Sequence, residues 1–147
     1  MSIFPTRILL ATDGSTEAQL AASTAAELAQ RTDSELHVAT VGADLPLYEL
    51  PDYTGRFEDV VHEQRRQAQE VLDQQVKKIE ESGGTVNEKH IREGRADEEI
   101  VILAQEIGAG LIVMGSRGHG RIRRALMGSV SDSVVRHAHC PVTIVRE

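Results

Sequence analysis

Short apolar runs alternate with segments of helical period along this chain, and no other feature restricts the fold as much. Arg7 to Thr12 (RILLAT) ends at Asp13-Gly14-Ser15, and Leu111 to Met114 (LIVM) ends at Gly115. Runs of this kind, bounded by turn residues, suit strands buried on both faces. Glu35 to Val41 and Val142 to Val145 read as further strands, and Thr85 to Arg92 as a polar strand suited to a sheet edge. Between them, Ala18, Ala21, Ala22, Ala25, Leu28 and Ala29 recur at three- and four-residue spacing, which predicts a helix from Thr16 to about Arg31. Phe57, Val61, Ala68, Val71, Leu72, Val76 and Ile79 mark a second helix from about Arg56 to Ser82, stopped by Gly83-Gly84. A third carries Ile100, Val101, Leu103, Ala104 and Ile107 and closes near Gly108; a fourth runs from about Ser129 to His137. Gly42 to about Gly55 reads as a loop. Alternation of this kind predicts a parallel sheet covered by helices on both faces, a three-layer α/β fold.

The bulk properties narrow the class. A chain of 147 residues fits one domain, residues 1–147, large enough to bury a real core. A net charge of −7 argues against a protein whose main task is coating nucleic acid or an anionic membrane. Cys140 stands alone and cannot form an internal disulfide, as suits a reducing compartment. The opening residues lack the pattern of a signal peptide, and no apolar run approaches the roughly 20 residues that span a bilayer. A cytoplasmic protein is the expectation.

Chemistry is expected at two strand ends. In open parallel sheets, ligands bind beyond the carboxyl ends of the strands, where strand order reverses. Asp13-Gly14-Ser15 follows one buried run and Gly115-Ser116-Arg117-Gly118 the other. The second opens GSRGHGRIRRALMGS, a connection longer than the usual two to six or so residues. Its glycines let backbone N–H groups approach an anion closely. A helix start at Ser129 adds free N–H groups and a positive dipole end, and Ser129 with Asp132 has the form of a capping arrangement. Arg117, Arg121, Arg123 and Arg124 would add positive charge. The familiar phosphate-loop lysine is missing. The same glycines could do no more than make a turn, and Asp13 could simply cap the next helix.

Gly115-x-x-Gly118, nine residues, then Gly128-Ser129 resembles the nucleotide loop of the ATP-binding branch of the universal stress protein family. The N-terminal ILLATDGS, the strand end IVMGSRGHG and the tail GSVSDSVVRHAHCPVTIVR extend the resemblance over essentially the whole chain. It implies a five-stranded parallel sheet ordered 3-2-1-4-5, of the adenine nucleotide alpha hydrolase-like (Rossmann-like) type. It implies that Asp13 and Gly115 lie by a ribose and that the Val41 backbone bonds adenine. Gly118, Gly128, Ser129 and Val130 would hold phosphates through backbone amides and the Ser129 hydroxyl, with Mg2+ or Mn2+ bridging the phosphates. Ala11 and Thr12 would line the same crevice; Arg117 and Ser131 join the candidate site by their own place in the sequence, in the loop and near the helix start. A homodimer through Val142 to Val145 is also implied.

The function expected is binding of ATP, or of AMP or ADP, by a stress-response sensor or adaptor with a protein partner, with no dedicated catalytic residues beyond slow ATP hydrolysis. Two alternatives stand beside it. A nucleotide-free interaction module would lack the glycine loop. An enzyme of the ATP pyrophosphatase type would carry Ser-Gly-Gly-x-Asp-Ser where this chain has Thr12-Asp13-Gly14-Ser15. The basic stretch RIRRA lacks interleaved aromatics and does not point to nucleic acid. His137, His139 and Cys140 fall short of the four ligands of a structural zinc site.

Overall fold

The computed structural model describes residues 2–42, 56–116 and 128–147. All of the expected loop beyond Gly42, residues 43–55, and the arginine-bearing segment 117–127 lie outside them. In chain order the elements are β1 (Arg7–Ala11), α1 (Thr16–Thr32), β2 (Glu35–Gly42), α2 (Arg56–Glu81) and β3 (Glu88–Glu93). They continue with α3 (Ala96–Ile107), β4 (Ala109–Gly115), α4 (Ser129–His137) and β5 (Val142–Val145). All strand pairs are parallel, in the order β3-β2-β1-β4-β5.

The sheet separates two apolar layers, and β1 feeds both. Ile8 and Leu10 face Ala21, Ala22 and Ala25 of α1 and Leu72 and Val76 of α2. Leu9 and Ala11 face Ile100, Leu103 and Ala104 of α3 and Val134 of α4. Ile8, Leu9 and Leu10 are fully buried; each contributes about 1.5–3 kcal/mol of transfer free energy. The alanine stripe on α1 lets that helix lie close over β1 and β4. Ser15 caps α1 by accepting from the Ala18 N–H at 3.2 Å, and Gly108 ends α3 in the left-handed conformation (φ 68°).

Two details depart from the sequence expectations. β3 begins at Glu88 rather than Thr85, because cross-strand pairing sets its start. The Asn87 N–H donates to the Leu36 carbonyl at 2.8 Å, and the Asn87 side-chain oxygen accepts from the Leu36 N–H. Ser129 does not cap α4; the N-cap is Gly128, with extended backbone and no side-chain cap bond, and Ser129 is the first helical residue. The Ser129–Asp132 capping arrangement is therefore absent.

Candidate functional site

β1 sends its chain to β2 on one side of the sheet, while β4 lies on its other side, so the carboxyl ends of β1 and β4 flank the switch point. A cavity of about 220 Å³ opens there. Ala11, Thr12 and Asp13 line it from the end of β1, and Ala39 and Val41 from β2. Met114, Gly115 and Ser116 line it from β4, and Gly128, Val130 and Ser131 from the start of α4. Ser15 and Ala18 of the first turn of α1, with Ala96 and Ile100 of α3, complete the wall.

Three helices thus begin at one crevice. Their first N–H groups have no intrahelical partner, and the aligned peptide dipoles place partial positive charge there. Side-chain capping is present on α1 but absent from α3 and α4. The crevice therefore favours an anion. Its β2 and α3 side, formed by Ala39, Val41, Ala96 and Ile100, is apolar and suits a flat uncharged ring.

Local hydrogen bonds hold the polar rim in place. Asp13 accepts from the Ser15 N–H at 2.9 Å. Thr12 accepts from the Gly14 N–H at 3.2 Å and donates to Gln75 of α2 at 2.8 Å. The Ser116 carbonyl accepts from the Gly128 N–H at 2.6 Å and from the Ser131 hydroxyl at 2.5 Å. Residues 116 and 128, the two ends of the segment 117–127, are thus fastened to each other. The Ser116 hydroxyl in turn donates to the buried Glu17 carboxyl on α1. Gly115 is the residue that permits this closeness, since a Cβ there would stand 3.0 Å from the Glu17 carbonyl carbon and Cβ.

A model of the universal stress protein family matches residues 5–146. The chain belongs to the universal stress protein family. Universal stress protein MJ0531 of Methanocaldococcus jannaschii is 36% identical over 141 residues, spanning 96% of this chain and 82% of that protein. A universal stress protein solved in complex with cAMP has a TM-score of 0.72 and 27% identity, covering 98% of each chain. The universal stress protein from Archaeoglobus fulgidus in complex with dAMP has a TM-score of 0.66 and 26% identity, covering 98% of this chain and 99% of that one.

Of the candidate site positions, Ala11, Thr12, Asp13, Val41, Gly115, Gly128, Val130 and Ser131 meet at this cavity. Ser129 lies between two lining residues with its side chain exposed. Arg117 and Gly118 fall outside the described residues. Ala39, Ile100 and Met114 read in the sequence only as strand and helix positions, and Ala96 carries no signal there, yet all four line the cavity. Nor does the sequence signal the Glu17–Ser116 bond, whose partners are 99 positions apart. Glu17 reads in the sequence only as an acidic residue in a helix's first turn, favourable to its dipole. His137, His139 and Cys140 form no cluster with metal-ligand spacing among the described residues. Instead the His137 ring lies 2.8 Å from the Ser133 carbonyl. Burial pushes the Cys140 thiol up from its usual range, which favours the thiol over the thiolate.

Proposed function

We propose that this chain is an adenine-nucleotide-binding universal stress protein whose working ligand is ATP, acting as a sensor or adaptor and not as a dedicated catalyst. The observation that carries this reading is the convergence of three helix starts and an apolar slot on one cavity at the switch point. Family members of the same fold solved with cAMP and dAMP support it, because both ligands contain an adenine, a sugar and a phosphate. Adenine would occupy the slot beside Val41, with Asp13 and Gly115 at the ribose. The N–H groups of Ser129, Val130 and Ser131, with the Ser129 hydroxyl and the Gly118 backbone, would hold the phosphates, and Arg117 would balance their charge; the Gly128 N–H is already given to the Ser116 carbonyl, so Gly128 would serve by its close backbone approach. Asp13 is the single carboxylate lining the cavity among the described residues, too few oxygen donors for an all-protein Mg2+ cage. An Mg2+ or Mn2+ ion would therefore arrive with the phosphates and neutralise them there.

The same reading takes the chain as a single cytoplasmic domain that pairs through β5. β5 lies at the sheet edge, and the Pro141 and Val145 carbonyls accept from the Ile112 and Ser116 N–H groups. In a parallel ladder the intervening residues Val142 and Ile144 then turn their N–H and C=O groups outward, where a second copy could pair.

Titration calorimetry with ATP and Mg2+ tests the nucleotide reading directly. Saturable binding is expected, and Gly118→Asp combined with Ser129→Ala should weaken it at least tenfold. No heat at millimolar ATP, or unchanged affinity in the double variant, would overturn it.

A further inference from the structure

A second polar cluster lies away from the crevice, on the same face of the sheet but toward the amino-terminal end of β2. His37 is buried, with 2% of its surface exposed, in a strand whose buried positions are mostly apolar. Parallel register sets His37 opposite Glu88 on the edge strand β3, and His90 follows two residues later on the same face. The His37 Nδ1 faces the His90 Nε2 at 3.0 Å and lies 3.4 Å from a Glu88 carboxylate oxygen. The rings are near-parallel, 11° apart, with centroids at 5.3 Å.

The geometry points to a divalent transition-metal site, of the Zn2+ type, formed by His37 Nδ1, His90 Nε2 and the Glu88 carboxylate. An ion with bonds of about 2.0–2.2 Å in tetrahedral geometry needs donor atoms roughly 3.3–3.5 Å apart. Two of the three separations already lie near that value, and all three donors fall within 4.8 Å of one another. The Glu88 side chain is 64% exposed and free to close the remaining gap. Two imidazoles and one carboxylate leave the fourth position to water. The set suits Zn2+ and neighbouring borderline ions better than Mg2+ or Ca2+, which prefer oxygen donors throughout.

The surrounding groups are those that metal-bound imidazoles use. Glu35 lies 3.3 Å from the His37 Nε2, and Arg7 in turn holds Glu35 at 3.4 Å. A carboxylate on the far nitrogen fixes the His37 tautomer with its proton on Nε2 and leaves the Nδ1 lone pair facing the site. With the His37 proton on Nε2, the bond between the rings runs from the His90 Nε2–H to the His37 Nδ1. Binding requires only that this proton move to the His90 Nδ1, which keeps the ring neutral.

Zinc titration of tag-free, chelator-stripped full-length protein, followed by calorimetry and by the ring-nitrogen NMR shifts of His37 and His90, tests the site. One Zn2+ per chain is expected, with both rings shifting together. His90→Gln and Glu88→Gln should each weaken binding at least tenfold, and Glu35→Gln should weaken it by about 10–100-fold as a positioning residue. Replacing His137 and His139 by Ala should leave it unchanged. Should a variant fail to fold, the ring shifts of the wild-type protein still decide the question. No shift at either ring with excess Zn2+, or undiminished affinity in folded His90→Gln, would overturn the site and leave a structural histidine pair.

Discussion

Gly115 and Ser116 show how one backbone atom can decide the shape of a crevice. Gly115 brings the end of β4 against the first turn of α1, where even a methyl group would meet the Glu17 carbonyl carbon and Cβ at 3.0 Å. Neither of those atoms is the tip of a flexible side chain, so α1 or β4 must move. Gly115→Ala should therefore destabilise the fold by about 1–3 kcal/mol, the usual cost of overpacking. A lower denaturant midpoint with an unchanged m-value would register it; an unaltered midpoint would show that the contact yields freely. Ser116 uses its carbonyl to fasten Gly128 and Ser131 and its hydroxyl to reach Glu17. One residue so joins β4, α1 and α4.

Among the secondary elements, α3 and α4 form one wall of the crevice and are tied to each other by a partly buried hydrogen bond. Asp97, in the first turn of α3, accepts from the Ser133 hydroxyl of α4 at 2.7 Å and from Arg95 at 3.0 Å. The Ser133 bond, followed by that from Arg95, holds the Asp97 carboxyl below its ordinary value of 3.8. The unfolded chain therefore binds more protons than the folded one as pH falls past 3.8. The tie contributes fully above that value and is lost as pH drops through the folded value. Asp97→Asn should cost about 1 kcal/mol at pH 7, allowing for solvent screening. The deficit should shrink in denaturant unfolding at pH 3. A deficit equal at both pH values would remove the ionised carboxylate from the account. The helix periods and the buried strands were plain in the sequence, because repeating apolar positions report burial directly. The start of β3 was not, because Asn87 and Leu36 set it by pairing across 51 positions.

For the molecule as a whole, the proposed assembly follows from where the sheet stops. β5 is short, at a sheet edge, and only half-buried along its length. Sedimentation equilibrium at micromolar concentration should return twice the chain mass, and a single-chain mass would exclude pairing through β5. Among the described residues no helix is long and apolar enough to cross a membrane. Class, layer count and the two chemically equipped strand ends could be read before any coordinates, since alternation and turn residues are properties of neighbours along the chain. Family resemblance carried the strand order and added Ala11, Val41, Gly128 and Val130 to those two strand ends. Other features depend on which strands become neighbours and in what register. The clamp of Ser116 on both ends of 117–127, Gly128 in place of Ser129 as the cap, and the His37–Glu88–His90 cluster are all of this kind. Pairing His37 with Glu88 is a choice of register between β2 and β3, and a shift of one residue would turn those side chains to opposite faces. Local periodicity carries no information about that choice, which the packing of the complete sheet makes.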